Sequence, residues 1–137
     1  MDHGARELIA THAPRARRAL AYAIASTWTV GMLVLFWSPP PPQPKWSGEW
    51  LDVTIHATAF FGFAIVWWIA GLSPRRLVAF GAVLAITTEL VQPLLPWPRS
   101  MEIGDVLADA GGLAVAVLGL ARLRRRGPAV ETTTRRS

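Results

Sequence analysis

Residues 19–37, ALAYAIASTWTVGMLVLFW, run for 19 positions without a charge. At 1.5 Å per residue, a helix of that length reaches roughly 28 Å, the thickness of a bilayer's hydrocarbon core. Three more such runs follow. Residues 51–72 are 22 positions whose only ionisable groups, Asp52 and His56, sit in the first two turns. Residues 77–95 are 19 positions interrupted by Glu89 alone, and residues 103–120 are 18 carrying Asp105 and Asp109 near their start. Apolar runs of 18 or more residues read as membrane-spanning helices rather than strands or core helices. The expected fold is all-α, an integral membrane four-helix up-down bundle over 19–122. It is flanked by an Arg-rich tail over 1–18 and a basic, unstructured tail over 123–137.

Composition agrees with that class. The chain has 137 residues, 52% hydrophobic and only 17% charged, against about 25% charged in an ordinary soluble domain. One domain is the default at this length, and the apolar content excludes intrinsic disorder. There is no cysteine, which excludes a disulfide-stapled fold, thiolate metal sites and a cysteine nucleophile. The links between the runs also fit. Pro39, Pro40, Pro41, Pro42 and Pro44 cannot continue a helix. Ser73-Pro74-Arg75-Arg76 makes a short helix–helix turn, and Pro96-Trp97-Pro98 stops the third run. Links this short make neighbouring helices antiparallel.

The formal charge of +5 is unevenly spread. With the N-terminus in the cytoplasm, the inner segments hold 12 of the 14 basic residues, and the outer loops keep only Lys45 and Arg99. That asymmetry is the positive-inside pattern, and it puts both termini in the cytoplasm. Trp37, Trp46, Trp50 and Trp97 then fall at the outer interface as an aromatic belt. A signal peptide is the competing reading of the first run. Its preceding tail is long for that role, however, and Trp37-Ser38-Pro39 offers no small-residue cleavage site. The Arg-rich tails read as topology determinants and contacts for anionic lipid headgroups rather than for nucleic acid.

In this orientation the intramembrane charges share a depth. His56 lies about 7–8 Å from the outer end of its helix, and Glu89 and Asp109 each lie about 9 Å from theirs. One turn shallower are Asp52, Gln92 and Asp105, with Arg99 and Glu102 in the loop above. Asp52 and His56 are spaced i,i+4, as are Asp105 and Asp109, while Glu89 and Gln92 are i,i+3, so each pair shares a helix face. The small residues Gly112 and Ala116 continue one face, and Ala85 and Ala82 another, which turns the polar groups into the bundle. Ionisable groups at membrane depth face the interior or a wet cavity and mark function by default.

Taken singly, these residues have plainer readings. His56 is a packed histidine bonded to its neighbour Asp52, Arg99 is a headgroup anchor, and Gly111-Gly112 is a packing feature. Together they are too many polar groups merely to hold four short helices. Carboxylates crowded in a low-dielectric layer also need relief, by shared protons, a charged His56 or a bound cation.

The segments from Asp52 to Gly62, from Glu89 to Gln92 and from Arg99 to Gly112 resemble the VanZ-like family. These are small bacterial membrane proteins named after one linked to resistance against the glycopeptide teicoplanin. The resemblance covers about Trp50 to Gly119. The family's D-K-x-x-H element looks matched at Asp52 and His56, with Val53 in place of Lys. Its E-x-x-Q element looks matched at Glu89 and Gln92. Its R-x-x-D-x-x-D-x-x-x-N element looks matched at Arg99 and Asp105, with Glu102 replacing Asp and Asp109 replacing Asn. These departures make the site more acidic than the family pattern. The resemblance implies a bacterial cell-membrane location and a cell-envelope association rather than a particular reaction.

The preferred expectation is a non-enzymatic protein. Its outer-leaflet site, formed by Asp52, His56, Glu89, Gln92, Arg99, Glu102, Asp105 and Asp109, binds an envelope or lipid-linked headgroup and alters envelope properties or glycopeptide susceptibility. Its partners are the bilayer's anionic lipids and a cell-wall precursor or envelope protein. The alternative is a membrane-embedded enzyme acting on lipid-phosphate headgroups, with His56, Glu89 and Asp105 as catalytic candidates. No cofactor is expected, because the H-x-x-x-H spacing of familiar metal sites is missing. The acidic cluster leaves a divalent cation as the exception. Transport fits least, since the inner halves of the runs are apolar.

Overall fold

The computed structural model describes residues 3–39, 50–97 and 102–126. Within them the chain is all-helical: α1 (His3–Trp37), α2 (Trp50–Ile69), α3 (Pro74–Val91), a single 3₁₀ turn (Gln92–Leu94) and α4 (Ile103–Arg126). Four stretches are long and apolar enough to cross a bilayer: Pro14–Trp37, Trp50–Ile69, Pro74–Leu94 and Ile103–Arg125. At 20 to 24 residues each, they reach roughly 30–36 Å. The chain is a multi-pass membrane protein.

The helix ends follow local chemistry. α2 stops at Ile69 because Gly71 takes a left-handed φ of 98°, a conformation that only glycine adopts without steric cost. Leu72, counted into the second run, therefore belongs to the turn. Pro74 opens α3 at its first position after Ser73, where its missing N–H is harmless. Pro93 falls inside the 3₁₀ turn, so α3 gives way at Val91 instead of continuing to Leu95. At the other end, α1 continues back to His3 with Pro14 inside it. The segment 3–18 is thus helical and joined to the first span.

Each helix buries one stripe. On α1 the stripe is Ala25, Thr29, Met32 and Phe36, a spacing of three and four that keeps one face toward α2. On α2 it is His56, Ala59, Phe60, Phe63 and Ala64. On α3 it is Leu77, Gly81, Ala85, Thr88 and Glu89, so Gly81 takes the place on this face that the sequence reading gave to Ala82, which is exposed. On α4 it runs Asp105, Ala108, Asp109, Gly112, Leu113 and Ala116. The remaining faces carry large exposed apolar side chains, among them Val30, Val83, Leu107 and Val115. An outside as apolar as the inside is what lipid permits and water does not.

The α2–α4 interface is the most extensive in the bundle. A Cβ at Gly112 would collide with the Ala57 carbonyl, so glycine is what lets the two backbones approach this closely. Beneath the polar residues the core is apolar: Phe60, Phe63, Leu77, Ala85, Leu113 and Ala116. Phe63 meets Phe80 edge-on at 5.2 Å between ring centroids, and Trp67 meets it at 5.4 Å. At the far end, the Arg124 guanidinium sits 4.1 Å over the Trp68 ring, a cation–π contact between the C-terminal turns of α2 and α4.

Candidate functional site

The buried polar residues of α2, α3 and α4 cluster at one end of the bundle, around one imidazole. His56 is fully buried. Its ring stacks on Phe36 of α1 at 4.1 Å and 7° between planes, which fixes the plane in which its two nitrogens lie. Nδ1 donates to Asp109 Oδ1 at 3.0 Å. Nε2, on the opposite edge, is 3.7 Å from Asp105 Oδ2, beyond hydrogen-bonding length. Nε2 therefore has no hydrogen-bond partner. The local pairing expected of His56 with Asp52 gives way to a pairing across helices. Asp109 reaches Nδ1 because Gly112, three residues along, lets α4 come up against α2.

The carboxylates close in from two sides. Asp52, His56 and Asp105 offer ligand atoms that all lie within 4.8 Å of one another, and so do His56, Glu89 and Asp109. Asp52 is half-buried, while Glu89, Asp105 and Asp109 are buried. Glu89 Oε2 accepts the backbone N–H of Glu102 at 3.1 Å, tying the start of α4 to α3. The Glu102 carbonyl in turn accepts the N–H of Asp105 at 3.1 Å, which caps the first turn of α4 just above the cluster. Glu102 itself is exposed, so its backbone, not only its charge, belongs to this arrangement. Gln92 is buried where α3 passes into the 3₁₀ turn. Of the eight binding candidates, only Arg99 lies outside the described residues.

Several buried polar atoms are left without partners. Besides His56 Nε2, these are Glu89 Oε1, Asp109 Oδ2 and Gln92 Nε2. Buried polar groups are almost always satisfied, and each exception asks for an unseen water, ion or ligand. The ion pairs of this cluster, among the described residues, both involve His56, so one imidazole faces an excess of acid. Chemically, a Nδ1–H held by a carboxylate leaves Nε2 to act as a base or as a metal ligand.

Comparison with known proteins adds no assignment. No family model, curated protein or solved structure matches the chain. The VanZ-like resemblance therefore stands on its motif residues alone.

Two features of the site escape a reading of motifs. Phe36 forms a wall against His56, yet it is one of many apolar residues in the first run. Its position one residue from the end of that run gives a depth of about 1.5 Å, against about 7–8 Å for His56, so depth arithmetic does not find the pair. The second is an apolar cavity of about 300 Å³ between α3 and α4, lined by Phe60, Val78, Gly81, Ala85, Val106 and Leu113 and reaching Asp109. It arises because glycine and alanine occupy facing positions, which no single helix reveals.

Proposed function

We propose that this chain is a VanZ-like protein of the bacterial cell membrane that binds an envelope or lipid-linked headgroup in the outer leaflet. The observation that carries the reading is the continuity of two unlike surfaces. The buried polar cluster around His56 borders, at Asp109, the apolar cavity between α3 and α4. Such a site suits an amphipathic ligand, with a phosphate or amine among the charged groups and a hydrocarbon chain alongside Ala85 and Leu113.

The outer-leaflet position follows from the positive-inside pattern, with cytoplasmic termini and an up-down order of helices. Supporting that order, Phe36 near the end of α1 pairs with His56 near the start of α2. Tyr22, earlier in α1, pairs with Trp67 at the far end of α2. Arg99, between the 3₁₀ turn and α4 in the sequence, supplies an anion contact in this reading. Influence on envelope properties or glycopeptide susceptibility would then be a consequence of headgroup binding rather than of turnover.

The test is native mass spectrometry of the purified protein against phosphatidylglycerol, phosphatidylethanolamine and undecaprenyl phosphate. One lipid class should bind stoichiometrically and survive detergent removal. Ala82→Phe should weaken that binding at least several-fold, because Ala82 lines the cavity and is exposed, leaving the buried core untouched. Arg99→Ala should weaken binding of the phosphate lipids. Equal, non-saturating adhesion of all three lipids, indifferent to both substitutions, would refute the proposal.

A further inference from the structure

We infer that His56 Nε2, Asp105 and Asp52 form a binding site for a divalent transition-metal cation of the zinc class, with Asp109 orienting the imidazole from behind. The inference concerns the same cluster as the headgroup reading and rests on it only for the identity of an outer ligand, not for the metal.

Four observations converge. The three ligand-bearing residues come from α2 and α4, the closest-packed pair of helices, and their donor atoms lie within 4.8 Å of one another. His56 is fully buried, and its Nε2 is unpartnered, so the atom best suited to a metal is the one left without a bond. Its other nitrogen donates to Asp109 at 3.0 Å. That carboxylate–histidine arrangement fixes the tautomer with the lone pair on Nε2, as in known metal sites. Finally, the ring cannot swing away, because Phe36 stacks on it.

The competing arrangement is a charged imidazole bridging two carboxylates. It fits the Asp109 side as a hydrogen bond but the Asp105 side only as a longer ion pair. The 3.7 Å between Nε2 and Asp105 Oδ2 exceeds the N–H···O range of about 2.7–3.2 Å. Two ligands on one zinc ion, each at about 2.0–2.1 Å and tetrahedrally disposed, stand about 3.3 Å apart. The observed spacing is a few tenths of an ångström from a metal's ligand edge. One imidazole and two carboxylates leave at least one coordination position for water or an oxygen of a bound phosphate. A divalent ion also offsets the negative charge that Asp52, Asp105, Asp109 and Glu89 bring together, and an imidazole among the donors favours zinc over calcium or magnesium.

The second grouping, His56 with Glu89 and Asp109, draws on the carboxylate already bonded to Nδ1. For that reason the ion is assigned to the Nε2 side.

The experiment uses full-length protein in detergent, stripped with EDTA and titrated with zinc chloride by calorimetry, with bound metal counted after gel filtration. One zinc per chain is expected. Asp105→Asn and Asp52→Asn should each weaken binding at least tenfold. Asp109→Asn should weaken it by about 10–100-fold, with partial recovery in Asp109→Glu, while the pair His3→Ala, His12→Ala leaves it unchanged. Cobalt-loaded protein should show visible ligand-field bands that shift in Asp105→Asn. Circular dichroism and gel filtration identify which variants remain folded. Folded wild-type protein without stoichiometric zinc overturns the site, as does binding lost with His3 and His12 or indifferent to Asp105→Asn. Because no lipid is present, failure of headgroup binding leaves this result standing, and zinc failure leaves the headgroup reading to its own test.

Discussion

At the scale of single residues, the two adjacent glycines of α4 separate cleanly. A Cβ at Gly112 meets the Ala57 backbone of α2, whereas one at Gly111 meets nothing within 4 Å. Backbone cannot rotate out of the way as a flexible side chain can. Gly112→Ala is therefore expected to cost roughly 1–3 kcal/mol as an overpacked contact, and to drag Asp109 off His56. Gly111→Ala should be neutral or stabilising by up to about 1 kcal/mol, from helix propensity alone. Thermal unfolding of both variants in one detergent checks the pair, and equal effects would mean that the α2–α4 approach does not depend on Gly112. The sequence marks both glycines as packing residues but not which one packs, since that depends on how far α4 is rotated. The same limit explains His56. The i,i+4 rule points to Asp52 on its own helix, and only the docking of α4 brings Asp109 to 3.0 Å.

At the scale of helices, α1 is held to α2 by indole groups as well as by its apolar stripe. Trp67 Nε1 donates to Thr29 Oγ1 at 2.9 Å, and that hydroxyl donates to the Ala25 carbonyl at 2.9 Å. Trp28 Nε1 reaches back from α1 to the Ala59 carbonyl at 3.1 Å. Hydrogen bonds between helices in a bilayer average about 0.6 kcal/mol and reach about 1.7. Thr29→Val, equal in shape, should lose an amount in that range by orphaning the Trp67 indole, and Thr29→Ser should lose less. Steric-trap or denaturant unfolding in bicelles measures the difference. A Thr29→Val protein as stable as the wild type would show that the indole finds another acceptor. The existence of four spans was legible in the apolar runs because bilayer thickness sets their length. Their ends were less so, and each shift has a local cause. Gly71 ends α2 early, Pro74 starts α3 early, and Pro93 converts the last turn of α3 to 3₁₀. The clamps were not legible at all, because Thr29 and Trp67 are 38 residues apart and carry no pattern in common.

At the scale of the molecule, the distribution of charge makes the protein a dipole. In the proposed orientation, the 12 inner basic residues outweigh Asp2, Glu7 and Glu131 to give +9. The outer end keeps −4 from the remaining six acids against Lys45 and Arg99, which restores the total of +5. The acidic end is also the end where the partnerless polar atoms gather, so orientation decides which leaflet the site samples. The chain contains no cysteine, which makes single introduced thiols unambiguous reporters. Ser38 follows the last residue of α1, and Ser73 precedes the first of α3. A membrane-impermeant maleimide should label Ser38→Cys in intact cells and Ser73→Cys only after permeabilisation. Replacing Arg75 and Arg76 with Glu should raise the fraction of Ser73→Cys labelled from outside, because short-loop arginines are the main determinants of this orientation. The opposite labelling pattern would put the His56 cluster in the cytoplasmic leaflet. An outer-leaflet headgroup would then be ruled out, whereas a metal held between α2 and α4 would remain, since its ligands need only each other and not a side of the membrane.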